Sequence, residues 1–169
     1  GLALGMVAVD YLKIWQFETA LKNVGTFIDI LGYDVCLLGQ IETGYQMEDN
    51  VVGIQIGSPD SEPGEGWDYQ AFEIFQEDSN VTPEEFAARI VDDYLDFYGS
   101  GVTQGASDVK NWDTVMGPDW ENLCQLLFNY CYDYESDISA ARSSASYWNT
   151  SEDRDLYDFI SALAADGDL

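Results

Sequence analysis

The chain has 169 residues, 46% of them hydrophobic and 14% aromatic, which is enough apolar material for one folded domain and too much for a disordered acidic tail. Its 32 Asp and Glu against 6 Lys and Arg give a formal net charge of −26, a field that repels phosphate backbones and anionic lipid and so argues against nucleic-acid binding. No apolar run reaches the roughly eighteen residues of a membrane span, so no membrane insertion is expected.

In chain order, Trp15, Ala20, Leu21 and Val24 fall near helical spacing and the run stops at Gly25, which predicts a helix over 14–24 with a glycine C-cap. Residues 27–36, FIDILGYDVC, are apolar with short polar interruptions and predict a buried strand whose end is marked by Asp34 and Cys36. A helix over 38–47 follows, then a second strand over 51–56 that stops at Gly57-Ser58-Pro59. Strand, helix and strand in so short a span point to a parallel α/β unit.

Residues 57–67, GSPDSEPGEGW, hold two prolines, three glycines and three carboxylates, the composition of an irregular, exposed or functional loop. Thr82-Pro83-Glu84-Glu85 is a helix start with Thr as N-cap, Pro at the first helical position and Glu closing a capping box. That helix runs to Tyr98 with Phe86, Ile90, Val91, Tyr94, Leu95 and Tyr98 on one face. Beyond it the expectations are a linker-like loop at 99–106, a short strand at 111–116, a helix from Pro118 towards Tyr134 and a last helix over 153–165.

The chain contains no His, so it cannot by itself supply the usual base of a cysteine hydrolase or an imidazole metal ligand. Residues 1–9 lack the positive flank of a signal peptide. Three cysteines without a CxxC pair indicate neither a zinc knuckle nor a disulfide framework. Cys36, just past a strand and before a helix, is either a thiol exposed at the carboxyl edge of a sheet, with its thiolate favoured by a helix amino terminus, or a buried structural Cys. Asp34, two residues earlier on an extended strand, points to the same side; it either binds a cationic group or merely ends the strand. Cys124 and Cys131, seven apart beside Leu127 and Phe128, are expected in the core. Asp60, Glu62 and Glu65 offer oxygen ligands that suit calcium without EF-hand spacing, or form a solvated acidic loop. Asn80 and Asn149 head glycosylation sequons.

These residues carry a specific resemblance. The block from Ile28 through Asp34, Cys36 and Gly39, then Glu42 and Tyr45, then Gly57-Ser58 through Glu62-Pro63-Gly64-Glu65-Gly66-Trp67-Asp68-Tyr69, is similar in order and spacing to the clostripain family of cysteine peptidases. The similarity continues through residues 82–98 and, more weakly, into 155–159. Val35, Leu38 and Glu65 stand where the family has Ala, Met and Asp.

The resemblance implies a caspase-like αβα sandwich to which this chain contributes part of the sheet and several helices. Cys36 would be the nucleophile and Asp34 the acid that selects Arg or Lys before the cut, with Ser58 and Asp60, and further Glu62 and Glu65, as pocket residues. Backbone amides, that of Cys36 among them, would form the oxyanion hole. The family's His lies on a preceding strand and self-cleavage between the His and Cys blocks leaves two associated chains. Residues 1–169 are therefore expected to be the Cys-bearing part of the peptidase domain. The partner is a His-bearing light chain, the substrates are peptides or proteins with Arg or Lys, and the isolated chain is expected to be inactive. No cofactor is required, although calcium is a candidate, and an extracellular or cell-surface location is the family expectation. The alternative is a non-catalytic acidic binding or scaffold module on the same fold. Because one Asp suffices for cation selection, the acid excess further suggests a salt-tolerant or halophilic source.

Overall fold

The computed structural model describes residues 12–47, 51–148 and 151–165, apart from the side chain of Asp113. The segment 1–9 and the sequon at Asn149 lie outside the described residues.

Helix α1, Ile14–Val24, ends where Gly25 turns left-handed at φ 71° and its N–H bonds the Lys22 carbonyl. Its Glu18 is buried, a costly place for a carboxylate, and is matched by Lys22 Nζ at 2.5 Å and Gln46 Nε2 at 2.8 Å. Strand β1, Ile28–Gly32, is followed by α2, Ile41–Gln46, and strand β2, Val52–Gly57. β1 and β2 pair in parallel with Ile28 opposite Val52, Ile30 opposite Ile54 and Gly32 opposite Ile56, as the strand–helix–strand pattern predicts.

Both early elements are shorter than the sequence suggests. β1 stops at Gly32, so Asp34 and Cys36 lie in a turn rather than on an extended strand, and the argument that puts them on one side by strand alternation does not hold. α2 starts five residues after Cys36 and spans six, so it offers the thiol no helix amino terminus.

A 3-10 turn, Tyr69–Glu73, leads into α3, Ile74–Glu77, and then α4, Pro83–Tyr98. The capping box of α4 forms as expected: Glu85 N–H donates to Thr82 Oγ1 at 3.2 Å and Thr82 N–H to Glu85 Oε2 at 2.8 Å. Phe86, Ala87, Ile90 and Tyr94 are buried while Leu95 is exposed. The Phe86 ring packs against Phe72 and Phe75 at centroid distances of 4.8 and 4.7 Å, and Tyr94 against Tyr98 at 4.9 Å.

Strand β3, Gly105–Asp108, pairs antiparallel with β2, so among the described residues the sheet runs β1-β2-β3 with β2 central and wholly buried. This replaces the expected loop at 99–106; GASD carries no large apolar residue, and the ladder to β2 alone makes it a strand. Helix α5, Trp112–Val115, occupies the expected strand at 111–116, with Met116 N–H closing on the Trp112 carbonyl at 2.8 Å.

Helices α6, Gly117–Tyr130, α7, Glu135–Ser144, and α8, Leu156–Ala165, complete the described chain. α6 has no buried residue. Cys124 is exposed and Cys131 half-buried, contrary to the expected core positions; the groove that α6 forms with Ile138, Ile160 and Leu163 is lined instead by Leu123, Leu126, Leu127 and Tyr130.

Two apolar clusters hold the sheet. Ile54, Ile56, Ala71, Phe86, Ala87 and Ile90 join β2 to α4; Met47, Val51, Val52 and Val109 receive Ile14, Phe17 and Leu21 of α1. Each fully buried aliphatic or aromatic side chain contributes about 1.5–3 kcal/mol, so β2 is the best-anchored segment, and the site is built at its carboxyl end. No described helix is long and apolar enough to cross a membrane.

Candidate active site

The turn that carries Cys36 is held by main-chain bonds to the segment leaving β2. Leu37 N–H donates to the Asp60 carbonyl at 3.1 Å and Gly39 N–H to the Ser58 carbonyl at 2.9 Å, while Gln55 Nε2 reaches the Leu38 carbonyl at 2.9 Å. The approach is close enough that a Cβ on Gly39 would overlap the Gly57 carbonyl. Leu37 adopts φ 67°, a left-handed conformation that a Leu rarely takes, so the residue after Cys36 is fixed in a strained turn by these bonds. Cys36 itself is exposed and unpaired with other cysteines. Glu62 N–H points at its sulfur from 3.2 Å, and the Glu62 carbonyl lies 3.9 Å from the same sulfur.

Asp34 is half-buried in a cradle made by the 62–69 segment. Its Oδ1 accepts Trp67 N–H at 3.1 Å and its Oδ2 accepts the Tyr69 hydroxyl at 2.7 Å. Gly66, at φ 74°, makes the cradle possible: a Cβ there would meet both Asp34 oxygens. Tyr98 of α4 donates to the Gly66 carbonyl at 2.6 Å and fastens the segment from behind. The hydrogen bond to Asp34 raises the Tyr69 hydroxyl above its ordinary range, so it remains a donor through neutral pH. Each Asp34 oxygen has a second lone pair, so the carboxylate retains acceptor capacity for an incoming cation.

Beneath this cradle lie buried polar groups without partners. Glu62 Oε1 accepts Trp67 Nε1–H at 3.2 Å, but Glu62 Oε2 bonds to nothing, nor do Gln104 Nε2 and Oε1 or the Tyr94 hydroxyl. Gln104 faces Glu62 and its amide lowers the carboxyl. Burial pushes the Glu62 carboxyl up, the Trp67 indole opposes the shift and the charge of Asp34 adds to it. Tyr94 is pushed up to about 12, by burial first and then by the charge of Glu62. A site that presents carboxylates and uncharged donors, with unfilled acceptor capacity, is suited to a positively charged, multiply donating group.

The remaining expected site residues divide. Ser58 is fully buried and its hydroxyl is committed within the loop, 2.8 Å from Thr103 Oγ1 and 3.1 Å from both the N and O of Asp60. Asp60 bonds Ser61 N–H with its carboxylate at 2.6 Å and receives Leu37 with its carbonyl, so it shapes the turn that carries Cys36. Glu65 is exposed and its charge acts on Tyr98. Among the described residues no group of three or more His, Cys, Asp or Glu side chains is gathered to hold a metal ion. Trp67, Tyr69, Tyr98 and Gln104 were given no role from sequence. The first two lie inside the Gly-rich acidic block, which is the signal that marks them; the other two are brought in by α4 and β3.

Comparison with known proteins points to one family. The sequence pattern of the Clostripain family, peptidase family C11, matches residues 6–162. A search of curated proteins finds no match. Among solved structures, a clostripain from Bacteroides thetaiotaomicron in complex with the peptide inhibitor BTN-VLTK-AOMK superposes with a TM-score of 0.68 at 20% identity, over 96% of this chain and 72% of that one. A cysteine protease of B. fragilis gives 0.60 at 20%, over 96% and 69%. A secreted C11 cysteine protease from B. thetaiotaomicron, iotapain, gives 0.65 at 21%, over 90% and 43%. With the α/β fold of the caspase-like C11 proteases and a pattern match along most of its length, the chain belongs to the clostripain family of cysteine peptidases.

Proposed function

We propose that this chain is the nucleophile-bearing part of a cysteine endopeptidase that cuts after Arg or Lys, working with a His-bearing segment of the same precursor from which autoprocessing separates it. The observation that carries the reading is the pairing of an exposed thiol, Cys36, with a cradled carboxylate two residues away, Asp34. The peptide inhibitor VLTK-AOMK bound by the B. thetaiotaomicron clostripain, with its Lys, supports the preference.

Asp34 holds the guanidinium or ammonium group of the residue before the scissile bond, using the acceptor capacity that Trp67 and Tyr69 leave open. The Cys36 proton passes to the companion imidazole, and the thiolate, met by Glu62 N–H, attacks the carbonyl carbon. Backbone N–H groups, including that of Cys36, stabilise the oxyanion. The imidazolium returns the proton to the leaving amine, an acyl-enzyme remains, and water then releases the acid and restores the thiol. Because the chain has no His, it is inactive alone. The outer edge of β1 is unpaired among the described residues and suits a strand of the companion segment. We place the enzyme outside the cell or at its surface.

The test is thiol-dependent cleavage of peptides with Arg, Lys or an uncharged residue before the cut, by the intact protein and its Cys36→Ala and Asp34→Asn variants. Cys36→Ala should abolish cleavage and Asp34→Asn should erase the preference for cations. Cleavage that survives Cys36→Ala sinks the reading, and no cleavage by the intact protein leaves the acidic binding module, which the absence of His favours.

A further inference from the structure

One residue touches both halves of the site. The main chain of Glu62 brackets the Cys36 sulfur, N–H at 3.2 Å and carbonyl at 3.9 Å, while its side chain runs inward to Trp67, whose own N–H holds Asp34. The inward carboxylate leaves Oε2 buried and unbonded, beside the unbonded Gln104 amide.

A buried acceptor without a donor is costly, and here the missing donor is of the kind that Asp34 recruits. We propose that Glu62 is a positioning residue that couples occupation of the cation pocket to the reactivity of Cys36: a cation bound at Asp34 supplies the donor for Glu62 Oε2, and the fastened side chain holds the Glu62 N–H on the sulfur. This deepens the reading given under Proposed function and rests on it. The chemistry recognised is an alkylguanidinium or alkylammonium long enough to pass Asp34. An uncharged side chain leaves Oε2 as it is and the amide less firmly placed.

Two features support the coupling over a purely structural role for Glu62. The residue is held at three points, sulfur, indole and, through Trp67, Asp34, so a force at the carboxylate is carried to the amide through only a few bonds. The chain following it is fixed by Tyr98 at Gly66, so the movement has little other outlet. Burial raises the Glu62 carboxyl, and a bound cation favours its charged form, which strengthens the new bond.

The experiment alkylates the intact protein with iodoacetamide at neutral pH with and without butylguanidinium, following Cys36 by peptide mass spectrometry because Cys124 is also exposed. Butylguanidinium should speed alkylation of Cys36 by about fivefold in the wild type. In Glu62→Gln, which keeps an acceptor for the Trp67 indole but loses the one for the cation, the acceleration should be lost while butylguanidinium, still held by Asp34, competes with an Arg substrate at a severalfold higher concentration. With substrate, the same variant should lose kcat by more than it gains KM. Glu62→Asp, which withdraws the carboxylate by one methylene, serves as the second variant and should behave alike. No acceleration in the wild type, acceleration undiminished in the variants, or complete loss of butylguanidinium binding in the variants each overturns the coupling. Those outcomes leave the peptidase reading intact if cleavage after Arg or Lys still requires Cys36 and Asp34; loss of that requirement instead removes the peptidase reading.

Discussion

Gly66 is the residue that Asp34 cannot exchange for a larger one: a Cβ at position 66 would lie 2.8 Å from Oδ1 and 2.9 Å from Oδ2, at a backbone φ of 74° that disfavours any side chain. Gly66→Ala therefore combines a conformational cost of about 1–3 kcal/mol with displacement of the carboxylate. Urea unfolding should show the loss of stability, and KM for an Arg substrate should rise more than KM for an uncharged one. Unchanged values for both would remove the cradle from the account of specificity.

The Tyr69 hydroxyl bonds Asp34 Oδ2 at 2.7 Å although the residue is largely exposed. Tyr69→Phe removes one of two fixed donors, and KM for Arg substrates should rise about threefold to tenfold with kcat little changed. Because the bond to Asp34 raises the hydroxyl, activity should not decline from Tyr69 ionisation as pH passes the ordinary tyrosine value of about 10. A pH–rate profile in which Tyr69→Phe abolishes a limb below that value would contradict this.

Glu62 should leave a pH signature on stability. Its carboxyl is raised in the folded state, by burial first, so the folded protein holds this proton more tightly than the unfolded chain does. Its contribution is therefore present below the ordinary glutamate value of about 4.3 and lost as pH rises through the raised one. The urea midpoint of the wild type should fall over that window more than that of Glu62→Gln; the general repulsion of the acidic surface is common to both, and their difference isolates Glu62. Parallel pH dependence in the two proteins would count against the assignment.

The net charge of −26 far exceeds what the pocket requires. Salt shortens the reach of surface repulsion, to about 3 Å at 1 M, so the unfolding temperature should climb between about 0.1 M and 1 M NaCl. A salt-independent midpoint would reject a salt-adapted origin.

The early fold was legible because its signals are local. Gly25 and the Thr82–Glu85 box fix helix ends within a few residues of themselves, and parallel pairing of β1 with β2 follows from apolar runs that flank a helix. β3 was not, because Gly105–Asp108 has no pattern of its own and becomes a strand only when Gly57 and Gln55 lie opposite. Trp112 looked like strand material, yet its ring fills the space above Gly44, where a Cβ would meet it at 2.6 Å. Cys124 lies on a helix with no buried residue and Cys131 at its end, which periodicity cannot reveal.

At the site, Cys36 and Asp34 were visible through the resemblance, but the reason for their proximity was not. Strand alternation was the expected cause, whereas a left-handed Leu37 and the 62–69 segment supply it. Tyr98 and Gln104 reach the site from distant sequence positions, and no short motif records such meetings.

The Cys36 turn is joined to the end of β2 largely through amide N–H and carbonyl groups, Leu37 to Asp60 and Gly39 to Ser58, which every residue but proline can provide. The side chain at 38 is thus free to change size or polarity while the sulfur keeps its bearing, provided the glycine at 39 stays small. A reactive centre framed in this way can tolerate extensive drift in its surroundings, and a search by fold will find its relatives where a comparison of side chains fails.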